Sequence, residues 1–227
     1  MMIQYIIVNL IFPVVKPSCE IFASFFHFFG IARLLGHAPQ VSGVFLFKER
    51  GGIMPITVRT AGEADLQTVG GLYGTVCDAL QGKPYNPGWA RDCFPTEDCA
   101  REYLYSGALL LALEDGEPAG SVGLTKNPSA EDGFPGAPAF DDAVWYIHVL
   151  AVHPERQRRG VGSALLLAAE GHARSQGARF MRLYVWEGNS PAIQAYEKSG
   201  YSCIQQGVDI GLAEFGFPRF SLYEKPL

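Results

Sequence analysis

Cysteine is scarce in this sequence. There are five, Cys19, Cys77, Cys93, Cys99 and Cys203, an odd number with no C-x-x-C pair. That pattern excludes a disulfide-dense miniprotein, and the lack of a Cys/His cluster at zinc spacing excludes a structural zinc module. Reduced thiols in a cytoplasmic protein are the expectation. Long hydrophobic runs are also missing. Met1 to Val15 is broken by Pro13, and Ile21 to Leu35 contains His27 and Arg33. Neither reaches the roughly 20 apolar residues that span a bilayer. The first run has no basic n-region and no clear cleavage site, so it is a poor secretory signal. Basic charge is in deficit, with 18 Lys+Arg against 23 Asp+Glu and a net charge of −5. An acidic balance argues against nucleic acid as a partner. Repeats and low-complexity tracts are absent. The 26 Gly and 15 Pro are ordinary numbers, which excludes a collagen-like or mostly disordered chain. What is present is 227 residues, 48% hydrophobic. That suffices for one large domain, or a domain with an extension, that folds without staples.

Charge is unevenly spread. Residues 1–53 carry a net of +2 and hold eight of the 15 Phe, whereas residues 54–227 carry −7. Two differently composed segments meet near Met54. The expectation is that Met54 is the natural start and that 1–53 is a hydrophobic upstream extension. Membrane contact through 1–53 is the competing reading.

After Met54 the pattern is mixed. Ile56 to Thr60 reads as a strand, followed by a helix whose apolar stripe is Leu66, Val69, Leu72, Tyr73, Val76 and Leu80. Lys83 to Pro95 reads as a loop. Thr96 is placed to cap a helix running to about Tyr105. Ala108–Leu113 and Pro118–Thr125 form a hairpin around an Asp-Gly turn. Asn127 to Asp142 is a long loop, of a length often tied to function. Val144 to Val152, apolar on both faces, is the central strand. Helices are expected from Gly160 to about Ser175 and, capped by Ser190 with Pro191 at its first position, to Ser199. The strands Phe180–Trp186, Tyr201–Gln205 and Arg219–Lys225 complete the chain.

Chemistry concentrates at His153-Pro154-Glu155-Arg156-Gln157-Arg158-Arg159-Gly160-Val161-Gly162-Ser163. A buried strand, a basic loop, two glycines and a helix start make an anion cradle. Glycine lets the backbone approach a pyrophosphate, and the orphan N–H groups and dipole of the first helical turn favour negative charge. Three arginines stand out in an otherwise acidic region. The competing reading is a tight turn with solvated arginines. The pattern is not a Walker loop, which needs Gly-Lys-Ser/Thr. It is not a dinucleotide fingerprint either, for want of a third glycine.

Gln157-x-x-Gly160-x-Gly162 resembles the acyl-CoA signature Q/R-x-x-G-x-G/A of the GCN5-related N-acetyltransferase superfamily. Farther on, Asn189-Ser190-Pro191-Ala192-Ile193-Gln194-Ala195-Tyr196-Glu197-Lys198-Ser199-Gly200-Tyr201 resembles that superfamily's N-x-x-A-x-x-x-Y-x-x-x-G-F/Y segment. The resemblance covers roughly Ile56 to Leu227. It implies an α/β fold of mixed type, the acyl-CoA N-acyltransferase fold, with a mixed, splayed central sheet flanked by helices. It implies an enzyme that moves an acetyl group from acetyl-CoA to a primary amine of a small molecule or peptide by direct attack, with no metal. The pantetheine arm would meet backbone groups of Leu150, Ala151 and Val152. The pyrophosphate would meet Gln157, Arg158, Arg159, Gly160, Val161, Gly162 and Ser163, and Asn189 would hydrogen-bond the arm or fix the strand end. Dimers are common in the superfamily, so a homodimer is in play.

The resemblance also suggests roles. Tyr196 matches the tyrosine near the thioester sulfur, a general acid for the departing thiolate; the alternative is a core aromatic. The strand from His148 to His153 resembles that of arylalkylamine N-acetyltransferases, which carry two histidines. His148 matches the second, and Tyr146 replaces the first. Tyr146 and His148 share a strand face. A His148 with a pKa near neutral could act as the base; the alternative is a satisfied core histidine. His153 reads as a loop residue, and Trp186 and Tyr223 as packing. Asp141 and Asp142 read as loop charges that could attract a cationic amine. A non-catalytic acyl-CoA-binding sensor is the alternative function.

Overall fold

The structure, a computed structural model, describes residues 42–49, 52–126 and 143–227. Both apolar runs of the N-terminal segment, Cys19, the Asn127–Asp142 loop and its acidic pair lie outside those residues.

Eight strands form one sheet: β1 (Ser42–Glu49), β2 (Gly52–Thr60), β3 (Gly107–Glu114), β4 (Glu117–Lys126), β5 (Val144–Val152), β6 (Phe180–Trp186), β7 (Ser202–Val208) and β8 (Phe220–Pro226), in the order β1-β2-β3-β4-β5-β6-β8-β7. The helices are α1 (Leu66–Leu80), α2 (Glu97–Ser106), α3 (Val161–Ser175) and α4 (Ser190–Lys198). Only β5 and β6 run parallel, as a strand-helix-strand connection through α3 requires; the other neighbours are antiparallel. The expected α/β fold with a mixed sheet is therefore found. β2, expected at Ile56 to Thr60, is longer than the residue pattern suggests. It begins at Gly52 and pairs with Ser42–Glu49, which hydrophobic composition alone did not separate from the segment before it.

Each helix is placed by its apolar stripe. On α1, Leu66, Val69, Leu72, Tyr73 and Val76 are all buried, as the spacing predicted. Asp65 just before it accepts Gly62 N–H at 2.8 Å and pairs with Arg59 through two 2.7 Å bonds, which ties the end of β2 to the helix start. The helices divide between two faces and make two cores. One core holds α1 and α2 residues against Val144, Tyr146, Leu109, Leu111 and Leu222. The other packs α3 and α4 against Trp145, Ile147, Met181, Leu183 and Tyr223. Alternation along β5 and β6 sends successive side chains to opposite cores. That rule decides which face each candidate catalytic residue reaches.

Two helix starts differ from the sequence reading. Thr96 occupies the cap position of α2, but its hydroxyl lies 3.5 Å from Cys99 Sγ and makes no capping bond. On α4 the cap is Asn189, whose Oδ1 accepts Ala192 N–H at 3.4 Å, and Ser190 is already helical. Either polar residue suits that turn, so the sequence did not separate them. Among the described cysteines, Cys77, Cys93 and Cys99 are buried and Cys203 is exposed; all four are free thiols.

Candidate active site

The sheet opens at its centre. β5 and β6 pair only over Val144–Tyr146 and Phe180–Arg182, then separate. From Ile147 to Val152 the edge of β5 that faces β6 has no strand partner. On its other edge, β5 stays paired with β4 through Val152, with a shift in register between Ser121 and Gly123. Val149 sits opposite that shift with φ of 42°, a conformation that is costly for a β-branched residue. The bulge falls just before Leu150 to Val152, on the stretch of β5 whose β6-facing edge is unpaired. This is where an extended arm could add hydrogen bonds without displacing a strand.

Immediately beyond the wedge, the chain turns into α3. Gly160 caps this helix in the left-handed region, φ 90° and ψ −3°, and Arg158 also has φ of 64°. Ala164 N–H makes the first bond of the helix, to Gly160 O at 2.8 Å. The amides from Arg158 through Ser163 have no hydrogen-bond partner among the described residues. A run of unpartnered N–H groups at the positive end of a 15-residue helix has the chemistry to receive a polyanion. Gly162 adds a second test. A Cβ there would meet only Val152 Cγ2, at an ordinary 3.7 Å. The protein's own packing therefore does not require a glycine at 162, and the space left is where a phosphate could come close to the backbone.

The arginines divide. Arg156 Nη1 donates to Glu114 Oε2 at 2.5 Å, and Arg159 Nη1 lies 3.5 Å from the same oxygen. Arg158 is exposed and has no ion-pair partner among the described residues. The loop thus presents less free positive charge than three arginines in sequence imply. Gln157 and Ser163 are exposed and Val161 is buried in the α3 core. Asn189 spends its side-chain oxygen on the α4 cap, the role of a turn residue at a helix start.

His148 and Tyr146 share a sheet face, as alternation predicted. His148 Nε2 lies 2.8 Å from Thr125 Oγ1, and its ring stacks on Tyr103 with centroids 5.2 Å apart and planes 14° apart. Gly123 makes this stack. A Cβ there would come within 2.4 Å of the Tyr103 ring, so only glycine lets Tyr103 lie flat beside the histidine. Burial pushes His148 down to about 4. That corrects the near-neutral value expected of it: the strand is central, and no carboxylate faces the ring among the described residues. The same face continues across the wedge as an aromatic wall. Tyr184 stacks on Tyr146 at 6.1 Å, and Trp186 meets Phe217 edge-on at 5.1 Å.

Tyr196 lies on the other face, buried on α4 with its ring edge-on to Tyr201 at 6.0 Å. Half-buried Leu150, Val152, Ala192 and Ile193 pack on the same core. Its hydroxyl has no hydrogen-bond partner among the described residues, and burial raises its pKa well above the ordinary phenol value. Tyr196 and His148 are thus on opposite faces of the sheet. His153 is a loop residue whose Nδ1 accepts Glu155 N–H at 3.3 Å, and Tyr223 donates to Glu197 at 3.1 Å. Both match their expected structural roles.

Sequence reasoning missed Tyr103, Thr125, Glu102 and Glu114. The first two come to His148 through the register of β4 on β5 and the seat of α2, which have no local signal. Glu102, half-buried beside Tyr103 in the chain, is pushed up to about 7 by burial. Glu114 was hidden in a hairpin turn rich in acidic residues. A cleft of about 350 Å³ lies on the α1 side of the basic loop, between Thr68, Thr75, Glu117 and Arg156, away from the wedge. No group of acidic, histidine or cysteine residues among those described could hold a metal. No helix among the described residues is long and apolar enough to cross a membrane.

The depressed His148 value has a consequence for stability. A histidine held below its unfolded value binds its proton more readily in the unfolded chain. Folding stability from this group is present above about pH 6.5 and is lost as pH falls from there toward about 4, with an upper limit of about 3 kcal/mol. Buried His172, also depressed by burial, adds in the same direction. Thermal midpoints measured between pH 7 and pH 4.5 should fall steeply for the wild type and less steeply for His148→Gln. Parallel curves for the two proteins would show that His148 is not held neutral.

The sequence model of the acetyltransferase (GNAT) family matches residues 76–201. A mycothiol acetyltransferase of Cellulomonas flavigena is 34% identical over 111 residues, 48% of this chain and 30% of the relative. One from Actinosynnema mirum is 39% identical over 70 residues, 31% of this chain and 24% of the relative. The chain spans less than a third of the length of these two relatives. Among solved structures, the GNAT domain of S. lividans PAT superposes with a TM-score of 0.60 at 22% identity, covering 82% of this chain and 97% of that one. A Salmonella typhimurium protein solved with its cofactor acetyl-CoA superposes with a TM-score of 0.57 at 20% identity, covering 76% of this chain and 94% of that one. At these identities the structural likeness establishes the fold.

Proposed function

The chain belongs to the acetyltransferase (GNAT) family, and from that premise we propose that it is an N-acetyltransferase taking acetyl-CoA as donor and a primary amine as acceptor. The observation that carries this reading is the run of unpartnered amides from Arg158 to Ser163 at the start of α3, directly beside the open edge of β5. A diphosphate on those amides places a pantetheine arm along Ile147–Val152. The thioester then lies in the wedge, between the face that carries Tyr196 and the face that carries His148.

In the transfer, the amine nitrogen forms a bond to the acetyl carbon and the carbon–sulfur bond breaks. Tyr196, kept protonated by burial, gives its proton to the departing thiolate. The amine loses a proton to a neutral acceptor. His148, uncharged above about pH 4, offers a lone pair on Nδ1 when Thr125 accepts from Nε2–H. Such a weakly basic group orients a neutral amine better than it deprotonates an ammonium ion. The rise of rate with pH should therefore track the amine's own titration. His148→Ala should lower turnover by roughly tenfold with an unshifted pH midpoint, and a flattened profile would instead make His148 the titrating base.

The relatives' name makes mycothiol acetylation a specific acceptor reaction to test. The aromatic wall of Tyr146, Tyr184 and Trp186 borders the acceptor side. We place the protein in the cytoplasm, with the cofactor's thiol and the free cysteines reduced, and assign it no metal. The deciding experiment incubates the full chain with acetyl-CoA and an amine panel and reads both free CoA thiol and acetylated amine by mass. Tight acetyl-CoA binding with no product from any amine would favour a sensor module instead.

A further inference from the structure

Glu114 lies at the end of β3, outside every motif of the cradle, and its side chain is 0% exposed. It is the only buried carboxylate among the described residues besides Glu170. Glu170 is held by Lys225 through two 2.8 Å bonds, a far more complete pairing. Glu114 is less satisfied. One oxygen, Oε2, takes Arg156 at 2.5 Å and Arg159 at 3.5 Å, and Oε1 is buried with no hydrogen-bond partner. A buried carboxylate left half-paired is costly, and removing its partners would cost more. It therefore holds both arginines, from either side of Gln157 and Arg158, against the C-terminal end of β3.

This rests on the donor assignment above. We propose that Glu114 is a positioning residue for the diphosphate of acetyl-CoA: it anchors the loop from Arg156 to Arg159 so that the amides of Arg158 to Ser163 stand preformed, and it neutralises the two arginines that flank them. Two guanidinium groups converging on one point repel each other unless an anion sits between them. Without Glu114, the loop would lose its tether, and the left-handed turns at Arg158 and Gly160 would have to be fixed anew each time a donor bound. Glu114 contacts neither amine nor thioester in this scheme. Its effect must therefore fall on the part of the donor that carries phosphate.

The test compares two donors, acetyl-CoA and acetylpantetheine, with the full chain and the variants Glu114→Gln and Glu114→Ala. Calorimetry gives Kd for CoA and for pantetheine, kinetics gives KM and kcat with each donor, and thermal unfolding checks the fold. Anchoring predicts that Glu114→Gln raises Kd for CoA about tenfold and KM for acetyl-CoA with it. It predicts little change in kcat or in KM for acetylpantetheine. Glu114→Ala should do more in the same direction. Tighter CoA binding in Glu114→Gln would overturn the proposal, because Glu114 would then be withholding the arginines from the phosphate. Equal weakening of both donors would also overturn it, since a general loss of structure moves both. A wild-type protein that binds neither CoA nor pantetheine would fail the donor assignment itself, a result distinct from either.

Discussion

Gly160→Glu should abolish measurable acetyl-CoA binding while the chain stays folded. Gly160 caps α3 at φ 90°, where an L side chain costs roughly 1–2 kcal/mol. That strain alone lowers the thermal midpoint by a few degrees in a chain of this size, at roughly 2–4 °C per kcal/mol. The larger effect is electrostatic. A carboxylate at the cap sits at the positive end of the helix, among the amides that the diphosphate needs, and repels it. Charge and strain can be separated with Gly160→Ala, which keeps the strain and removes the charge. Calorimetry should show Gly160→Ala weakened by about tenfold, in line with its strain, and Gly160→Glu weakened beyond detection. If the two variants bound acetyl-CoA equally, the amide run would not be the phosphate site. If Gly160→Glu bound like the wild type, the donor assignment would fall with it.

How the site could be read from sequence depends on what kind of signal each residue leaves. The cradle was legible because its parts are contiguous: Gln157, Gly160 and Gly162 follow a strand and open a helix, and the structure keeps that order. Tyr196 was legible for the same reason, since its burial and its face follow from a short amphipathic helix. The wedge was not. It exists because β5 and β6 pair over three residues and then part, a property of register and twist that no single segment encodes. The pairing of His148 with Thr125, 23 residues away, comes from the same register. The charge of the loop was misjudged for a related reason. Arg156 reads as free until Glu114, 42 residues earlier, is brought beneath it by the β3–β4 hairpin. Local chemistry survives in sequence, while desolvation and pairing across strands appear only after folding.

Tyr196→Phe should lower turnover by roughly 10²- to 10³-fold, at the level expected for removing a positioned acid, with acetyl-CoA affinity almost unchanged. The substitution keeps the ring, so its edge-on contact with Tyr201 and its place in the α3–α4 core remain. What is lost is a hydroxyl that bonds to none of the described residues and that burial keeps protonated across the working pH range. A hydroxyl without a protein partner contributes little to folding, so removing it costs little. The thermal midpoint should therefore hold while turnover collapses. The leaving group supplies the sharper discrimination. If Tyr196 protonates the thiolate, the defect should shrink with an acetyl donor whose thiol is more acidic, because such a thiolate departs without help. A defect of the same size for every donor would mean that Tyr196 shapes the wedge without giving up a proton, and equal turnover in variant and wild type would remove it from the chemistry altogether.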